Sequence, residues 1–441
     1  MGVQEKEQLW GSETTKAVGN FPVSGERVPL PVIHWLGRIK AASARVNAEL
    51  GLLDQDLAER IASAADEVAN GQHDDQFPID VFQTGSGTSS NMNANEVIAT
   101  LAGDEAHPND HVNMGQSSND VFPSAVHLAA LDTASNDLIP ALERLEHSLS
   151  AKADEFKDIV KSGRTHLMDA VPVTLGQEFS GYAAQIRLGV ERIKNALPHV
   201  AQIPLGGTAT GTGLNTHREF AAKVRALLSD STNLEIRPPE DPFEAQGNRD
   251  ALVELSGSLK TLAVSLTKIA NDLALMGSGP RAGIGELFLP ELQKGSSIMP
   301  GKVNPVIPEV VLQVSAQVIG NDTAITVAGT QGQFELNVRV PLIARNLLDQ
   351  IRLLTSAARI FAEKCIDGIE ANEQGAKRSA ESTLAAATAL NPVIGYDKAG
   401  EIVKEAASSG RLLREVAIEM GVDEETFERA MDLRKMAQGN L

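Results

Sequence analysis

Apolar residues recur at helical spacing along much of the chain, and the clearest case lies between residues 252 and 276. The intervals between them alternate regularly between three and four residues. The members of this seam are Leu252, Leu255, Leu259, Leu262, Leu266, Ile269, Leu273 and Met276. A repeat that averages 3.5 residues keeps one apolar face towards a partner helix along its whole length. The pattern predicts a helix of about 25 residues, close to ~40 Å long at 1.5 Å per residue.

Three further seams follow the same spacing. The first comprises Leu128, Leu131, Leu138, Leu142, Leu145 and Leu149, the second Val311, Val314, Val318 and Ile325, and the third Leu347, Ile351, Leu354, Ala358 and Phe361. Pro140 interrupts the first seam and predicts a kink, and residues 179–196 are also helical in pattern. Several long helices between residues 119 and 370 indicate an all-α protein with a central bundle. Such seams are best buried by more helices, so we expect self-association, although a monomeric bundle that buries them internally fits the pattern too.

Composition agrees with packed helices and narrows the classes of function. Of the 441 residues, 42% are hydrophobic and only 4% are aromatic, which favours helices over sheets. The 58 acidic and 39 basic side chains leave a formal net charge of −19. Binding to nucleic acid or to anionic lipid needs clustered lysine and arginine instead. The single cysteine, Cys365, cannot form an intramolecular disulfide, which is typical of a reducing compartment.

The sequence carries no membrane signal. No apolar stretch approaches the roughly 20 residues that span a bilayer. The first 30 residues contain charges such as Glu5, Lys6 and Glu13 and no apolar core of a signal peptide. We therefore expect a cytoplasmic protein with neither a membrane nor a nucleic-acid partner.

Segments rich in glycine, serine, threonine and asparagine interrupt the helical pattern. They span residues 83–96, 206–215, and 277–286 with 295–305. We expect three domains, namely a mixed helix and loop domain over 1–115, the long-helix bundle over 116–373, and a small helical domain over 374–441. Glycines separate the short helices of the last domain. These glycines are Gly395, Gly410 and Gly421.

Nucleotide and metal sites fit these segments poorly. In the stretch that superficially resembles a phosphate loop, five residues lie between Gly295 and Gly301 instead of four, and Val303 stands where serine or threonine is needed. Gly277 and Gly279 lack the third glycine and the preceding strand of a dinucleotide site. The sequence contains no His-Glu-x-x-His motif and no cysteine cluster. We expect neither a catalytic metal nor another cofactor.

Small polar residues in front of predicted helices are suited to anions. Ser117, Ser118 and Asn119 precede the helix of the first seam, where capping is their ordinary use and their spare donors could bind a carboxylate.

His166, which we expect just before a helical segment, can transfer protons near neutral pH, although a lone loop histidine is more often structural. Ser296 lies in a segment expected to be mobile, where serine can act as a nucleophile or, among cationic donors, as a base. No Gly-x-Ser-x-Gly motif of a hydrolase is present.

Longer motifs resemble the fumarase/aspartase superfamily. The stretch Gly295-Ser-Ser-Ile-Met-Pro-Gly-Lys-Val-Asn-Pro305 is similar to the superfamily signature. Further stretches are similar to class II fumarase (fumarate hydratase), namely Thr84–Thr88, Asn91–Asn93, His107–Asp110, Ser117–Asn119 and Thr165–His166. The likeness extends from Asn20 to Asp397. Aspartases typically carry glutamine at the position of His166, which favours a hydratase over an ammonia lyase.

The resemblance implies a fold and a reaction. The fold would be a three-domain, all-α structure whose long central helices assemble into a homotetramer, with each active site drawing loops from three subunits. The reaction would be the reversible anti addition of water to fumarate, giving L-malate through an aci-carboxylate intermediate.

The resemblance also implies a role for particular residues. Ser296 would take the C3 proton of malate, and His166, supported by Glu309, would activate or protonate the departing water. The substrate-binding set is Ser86, Gly87, Thr88, Ser117, Ser118, Asn119, Thr165, Ser297, Lys302, Val303 and Asn304. A second, non-catalytic anion site comprises His107, Pro108, Asn109 and Asp110. Candidates for local positive charge near a dianionic substrate are Lys302, Arg164, Arg281 and Arg339.

Two alternatives stay open. An aspartase would use the same signature stretch, and a non-catalytic helical protein, like the lens crystallins of this superfamily, would use the same fold. The second alternative has no need for the polar residues His166, Ser296, Lys302, Asn304 and Glu309 together.

Overall fold

A computed structural model describes residues 8–438 of the chain. Residues 1–7 and 439–441 lie outside the described residues, and with them Glu5, Lys6 and the outer ends of the first and last expected domains. Most of the described chain is helical, which confirms the all-α prediction. No helix of residues 8–438 has the length and apolar character needed to cross a membrane.

The helices follow one another with short connections. They are α1 (Ser12–Asn20), α2 (Leu30–Glu49), α3 (Gln55–Ala69), α4 (Thr88–Ala102), α5 (Ser118–Thr133), α6 (Ile139–Glu155), α7 (Leu175–Val200), α8 (Phe220–Thr232), α9 (Pro242–Gly247), α10 (Asp250–Met276), α11 (Val306–Gly329), α12 (Val340–Lys364), α13 (Glu373–Ser382), α14 (Asn391–Ile394), α15 (Tyr396–Ser409), α16 (Leu413–Glu419), α17 (Glu424–Ala430) and α18 (Leu433–Gln438). π-Helical turns occupy Pro108–Val112 and Ala134–Leu138, and 3-10 turns occupy Asp74–Gln76, Ile366–Gly368 and Leu384–Leu390.

The strands of the described chain form small antiparallel pairs. They are β1 (Val160–Thr165) with β2 (Met168–Thr174), β3 (Leu287–Phe288) with β6 (Glu370–Ala371), and β4 (Gly332–Gln333) with β5 (Leu336–Asn337). In the β1–β2 hairpin, Thr165 pairs with Met168 and Val160 pairs with Thr174. The sequence prediction that a helical segment directly follows His166 is therefore wrong, because β2 intervenes and α7 begins only at Leu175. Valine and threonine at both ends of this stretch favour extended backbone, which explains the difference.

The apolar seams are confirmed as helix faces that are buried except at Val314 of α11, which is half-buried. Every member of the seam in α10, from Leu252 to Met276, is at most 5% exposed. In the first seam, the π-helical turn Ala134–Leu138 separates α5 from α6 just before Pro140. Proline has no N–H to continue the helical ladder, so a change in hydrogen-bond spacing fits this place in the chain, and the kink stays a prediction.

The chain divides into two compact units. The first comprises Met1–Pro140, Gly189–Ala263 and Val314–Thr355, and the second comprises Ala141–Leu188, Val264–Gln313 and Ser356–Leu441. Each unit contains part of α7, α10, α11 and α12. The division into three domains stays a prediction.

Close helix packing organises the first unit. Helix α2 contacts α3, α4, α5 and α8. At Gly37 of α2, an added Cβ would lie 2.7 Å from the carbonyl oxygen of Ala65 in α3, so the two backbones touch where glycine stands.

In the second unit, a small apolar cluster joins the C-terminal helices. Ile402, Val416 and Phe427 are among its buried members. Gly410 ends α15 with a φ of 67°, as the predicted role of glycine between short helices requires.

Candidate active site

Two helices of the first unit begin side by side at predicted substrate-binding residues. Gly87 precedes α4 with a φ of 80°, and an added Cβ would lie 2.2 Å from the Phe122 ring in α5. Asn91 of α4 donates from Nδ2 to Oγ of Ser118 in α5 at 2.9 Å. Ser86 and Thr88 share a hydrogen bond of 2.7 Å between their hydroxyls. The structure therefore brings these polar residues to two neighbouring helix N-termini, where backbone N–H groups attract anions.

The start of α5 is a capping box. Ser117 Oγ accepts from the backbone N–H of Asn119, and Asp120 Oδ1 accepts from the backbone N–H of Ser117 at 2.8 Å. Asn119 donates from Nδ2 to the carbonyl oxygen of Ala209 at 2.9 Å. The capping role predicted for this stretch is confirmed at Ser117, and the side chains of Ser118 and Asn119 are held on the first turn.

Asp120 is a residue that the sequence analysis missed. It is completely buried, and its Oδ2 accepts from the backbone N–H groups of Gly206 and Thr208, both at 2.9 Å. Burial raises its pKa to about 6. Asp120 therefore ties the start of α5 to the glycine-rich segment 206–215. The spacing Ser-x-x-Asp before a helix was the signal available in the sequence, since it is the pattern of a capping box.

Lys40 is a second buried charge that the sequence analysis missed. It lies on α2 and is 0% exposed, and its Nζ donates to Oε1 of Gln116 at 3.2 Å. Burial lowers the pKa of Lys40 to about 7, although the charge of Asp120 opposes the shift. Its position among apolar residues of α2, between Leu36 and Ala44, is the signal that could have found it.

The predicted second anion site lies at the π-helical turn Pro108–Val112. The backbone N–H of Asp110 donates to Nδ1 of His107 at 3.1 Å, and Asp110 Oδ2 lies 3.2 Å from the same nitrogen. The side chains of His107 and Asp110 are exposed, as is Asn109. The turn presents its polar groups to solvent, and its role as an anion site stays a prediction.

In the second unit, Thr165 and His166 lie at the tip of the β1–β2 hairpin. His166 and Leu167 both have positive φ, 56° and 61°. Two such residues in succession form the type I′ turn that matches the twist of a hairpin, although asparagine and glycine usually occupy it. The His166 side chain is exposed and has no hydrogen-bond partner among residues 8–438. The fold therefore holds an unpaired imidazole at a strained, exposed tip.

Beneath this tip lies a buried ionic network. Glu286 is 0% exposed and accepts two hydrogen bonds from Arg164, at 3.0 and 2.9 Å, and one from Ser379 at 2.6 Å. Lys161 Nζ lies 3.2 Å from Glu286 and 2.8 Å from Glu178. The charge of Arg164 is thus neutralised within the fold, and its role is to hold the base of the hairpin. Arg281 and Arg339 are exposed.

The signature stretch of residues 295–304 closes on itself. Asn304 donates from Nδ2 to the carbonyl oxygen of Gly295 at 2.7 Å. Ser296 is half-buried, and its Oγ accepts from the backbone N–H groups of Ile298 and Met299 at 3.2 and 3.1 Å. The structure thus aims two N–H donors at the one hydroxyl for which the sequence predicts a catalytic role.

The other residues of this stretch face solvent. Ser297, Lys302 and Val303 are exposed, and Glu309 lies exposed in the first turn of α11. Within the described part of the chain, the Glu309 carboxylate and the His166 ring have no hydrogen-bond partner and do not pair with one another. The predicted support of His166 by Glu309 stays a prediction. The described residues also contain no group of three His, Cys, Asp or Glu side chains that could hold a metal ion.

Comparison with protein families matches most of the chain to two profiles. A profile described as lyase matches residues 3–320. A second profile, described as the C-terminus of fumarase C, matches residues 387–438.

Individual relatives agree with these profiles. The class II fumarate hydratase of Corynebacterium glutamicum is 55% identical, with 97% of this chain and 93% of the relative covered. That of Mycobacterium tuberculosis is 54% identical, with 98% and 93% covered. Among solved structures, a class II fumarase from Schistosoma mansoni superposes with a TM-score of 0.96 at 38% identity, with 100% of this chain and 98% of that chain covered. A fumarate lyase/delta crystallin from Brucella melitensis superposes with a TM-score of 0.94 at 45% identity, covering 98% and 96%.

Proposed function

Because this chain belongs to the class II fumarate hydratase family, we propose that its reversible conversion of fumarate and water into L-malate proceeds by anti addition through an aci-carboxylate intermediate. The conversion is a step of the tricarboxylic acid cycle. The chemical difficulty is the removal of a proton from a carbon atom beside a carboxylate, which leaves a dianion that fixed hydrogen-bond donors must stabilise.

Ser296 is the proposed base for the C3 proton of malate. The observation that carries this assignment is the pair of backbone N–H groups, from Ile298 and Met299, that donate to its Oγ. Hydrogen bonds to the charged form of a group favour that form, so these donors would stabilise a serine alkoxide. Ser296 is also half-buried, and a lower local dielectric strengthens the effect of such donors.

His166 is the proposed group that protonates the departing water of malate, or activates water in the opposite direction. Its imidazole is exposed and unpaired within the described chain, so it is free to face a substrate held elsewhere in an assembly. Glu309 would accept a hydrogen bond from the ring, fix its tautomer and raise its basicity.

The remaining residues would hold the two carboxylates and the hydroxyl of the substrate. The start of α4 offers Ser86, Gly87 and Thr88, and the start of α5 offers Ser117, Ser118 and Asn119. Thr165 and the stretch with Ser297, Lys302, Val303 and Asn304 would complete the set. Lys302 is exposed and has no ion-pair partner among residues 8–438, so its charge is available to a dianion. This local charge would offset the net charge of −19 on the chain.

His107, Pro108, Asn109 and Asp110 form the proposed second anion site, apart from catalysis. We further propose a cytoplasmic homotetramer in which loops from several copies complete each active site. The exposed side chains of His166 and Glu309, unpaired within residues 8–438, support this arrangement, because a catalytic group needs a partner within hydrogen-bond reach.

The roles of Ser296 and His166 are tested by the variants Ser296→Ala and His166→Asn. Removal of an acid–base group lowers the rate by about 10²–10⁴, so kcat for malate dehydration, followed as fumarate absorbance, should fall by that factor. The matched controls are Ser408→Ala and His147→Asn, both at exposed positions, which should leave kcat unchanged. Near-normal turnover by either test variant would refute its assigned role.

The same assay separates the alternative activities. The assay is run separately with L-malate and with L-aspartate, in the presence of a chelator. The unaltered protein should form fumarate from L-malate alone. Fumarate formed only from aspartate would make the chain an ammonia lyase, and loss of turnover with the chelator would contradict a reaction carried by side chains alone.

A further inference from the structure

The proposed substrate residue Ser118 has a buried neighbour to which the mechanism above assigns no role. This neighbour, Asn91, lies near the start of α4 in the first unit and is 1% exposed. Its Nδ2 has two acceptors, namely Oδ1 of Asn113 at 3.1 Å and Oγ of Ser118 at 2.9 Å. An amide nitrogen carries two N–H groups, so both contacts can be hydrogen bonds at the same time.

The orientation of the Asn91 amide follows from a backbone carbonyl group two contacts away. Asn113 Nδ2 lies 3.2 Å from the carbonyl oxygen of Gln116, which can only accept. The Nδ2 end of Asn113 therefore faces Gln116, and its Oδ1 faces Asn91. An oxygen in that place requires a donor opposite it, which is the Nδ2 of Asn91. Because the same Nδ2 atom contacts Ser118, the group that Asn91 presents to Ser118 is fixed as a donor.

The turn that carries Asn113 is anchored to α2. Lys40 Nζ donates to Oε1 of Gln116 at 3.2 Å, and Asn47 Nδ2 donates to the carbonyl oxygen of Met114 at 3.1 Å. Lys40 and Asn47 are at most 1% exposed. A different arrangement of the turn would leave these buried donors without a partner, which costs more than a solvent-exposed hydrogen bond does.

These contacts decide what the Ser118 hydroxyl can do. An amide N–H group only donates, so Ser118 Oγ accepts from Asn91 and keeps its own O–H group for another partner. That O–H group has no acceptor among residues 8–438. Ser118 is half-buried at the start of α5, where a helix N-terminus favours an anion. The hydroxyl is therefore a donor in a place that suits a carboxylate.

We propose that Asn91 is a positioning residue that turns the hydroxyl of Ser118 into a dedicated hydrogen-bond donor for a carboxylate of the substrate. This inference rests on the proposed function, in which Ser118 binds such a carboxylate. Asn91 acts through Ser118 alone. Without Asn91, the hydroxyl can rotate and turn its lone pairs towards the carboxylate, which repels them.

The test is a double-mutant cycle on two constants, the KM for fumarate and the inhibition constant of succinate, a dicarboxylate that reports binding without turnover. Ser118→Ala should raise both constants about tenfold, because a hydrogen bond to a charged group is lost. Asn91→Ala should raise both about fivefold, since it weakens this hydrogen bond without removing it. The kcat should change less than KM, because the contact is made in the ground state and the transition state alike.

The cycle separates positioning from a general effect on the fold. In the Ser118→Ala background, Asn91→Ala should raise the two constants by less than about twofold, because its route to the substrate is gone. A purely structural effect of Asn91 would have the same size in both backgrounds.

Asn91→Asp keeps the shape of the side chain and reverses its hydrogen bonding. A carboxylate only accepts, so the Ser118 hydroxyl would donate to it and present lone pairs to the substrate. Both constants should rise at least as much as in Ser118→Ala. The pair Asn91→Asp/Ser118→Ala measures the effect of the added negative charge alone, and this effect should be the smaller one.

Asn95→Ala is the matched control. Asn95 lies one turn further along α4, is 0% exposed, and its Nδ2 contacts the sulfur of Met92 at 3.6 Å. This variant should leave both constants unchanged. Thermal melts report whether each variant folds. If Asn91→Ala does not fold, Asn113→Ala takes its place in the cycle, because it removes the acceptor that orients the Asn91 amide and lies at a half-buried position.

The possible failures are distinguishable. An effect of Asn91→Ala that is equally large in both backgrounds would overturn the proposal and leave the binding role of Ser118 intact. Unchanged constants in Ser118→Ala would refute that binding role and the proposal together. An unaltered protein that does not hydrate fumarate would refute the proposed function, and this inference with it.

Discussion

At Gly295, an added methyl group would lie 1.9 Å from the carbonyl oxygen of Lys302. Any side chain there must push the two ends of the signature stretch apart and break the hydrogen bond from Asn304 to the Gly295 carbonyl. Glycine is thus required at this position for space alone, because the chain crosses itself closely between Gly295 and Lys302.

We predict that Gly295→Ala lowers kcat for fumarate hydration by at least about tenfold, since a misplacement of about 1 Å can cost on the order of 10² in rate. The melting temperature should change little, because the stretch is largely exposed. Steady-state kinetics and a thermal melt measure the two quantities. Gly320→Ala is the matched control, as an added Cβ on that residue of α11 meets nothing within 4 Å. A kcat equal to that of the control would contradict this account of Gly295.

Lys40 gives a pH dependence of stability. In the unfolded chain its pKa is near the ordinary 10.5, and burial lowers it to about 7 in the folded protein. At pH values between these two pKa values, the unfolded state binds up to one more proton than the folded state. The free energy of unfolding should therefore rise with pH, by at most about 1.4 kcal/mol per pH unit. Lys40→Met should lack this contribution.

The comparison is made by denaturation at about pH 7.5 and pH 9.5, with Lys404→Met as the control at an exposed position. The free energy of unfolding of the unaltered protein, measured relative to that of Lys40→Met, should be larger at the higher pH. A difference that stays constant would mean that Lys40 remains charged in the folded state.

At the scale of elements, helix starts and one hairpin carry the candidate chemistry. The starts of α4 and α5 are joined by the hydrogen bond from Asn91 to Ser118. The β1–β2 hairpin is held at its base by Arg164 and Glu286, both on the buried ionic network. These contacts position the ends of helices and strands. At such ends, helix N–H groups without an intrahelical partner and turn residues can bind a ligand.

Ser117→Ala tests the start of α5. Loss of the cap should destabilise the protein by about 1 kcal/mol, and loss of a proposed carboxylate donor should raise KM for fumarate. Ser408→Ala, at an exposed position near the end of α15, should change neither quantity. Thermal melts and initial rates measure both effects. A lower melting temperature with an unchanged KM would leave Ser117 with a capping role only.

At the scale of the whole molecule, we propose that the catalytic groups act only when copies of the chain assemble. His166 and Glu309 have no hydrogen-bond partner within the described chain. A shared active site predicts that two inactive variants can complement one another, because an assembly of both contains some sites in which every group is intact.

We therefore predict that equal amounts of Ser296→Ala and His166→Asn, unfolded and reassembled together, recover activity in about a quarter of the sites if the two groups come from different copies. Activity is measured as fumarate hydration, and each variant refolded alone sets the baseline. The unaltered protein, treated in the same way, reports how completely reassembly occurs. A mixture no more active than its components would place both groups in one copy.

The sequence by itself determined the helical class and the positions of the long helices. Local spacing decides these features, because the residues of an apolar seam such as that from Leu252 to Met276 share one face only in a helix. That face leaves water when the helix packs against others. The sequence also located the polar segments, since Ser117 before a helix and the stretch from Gly295 to Asn304 are readable from neighbouring residues alone.

The tertiary structure decided what lies far apart in the sequence. No local pattern indicates that Asp120 bonds to Gly206 and Thr208, or that Glu286 neutralises Arg164, because each contact joins residues more than 80 positions apart. The hairpin at His166 escaped the sequence prediction because strand pairing depends on the partner strand more than on residue preference. The buried charges likewise exist only once distant helices enclose them, since burial is a property of the packed chain.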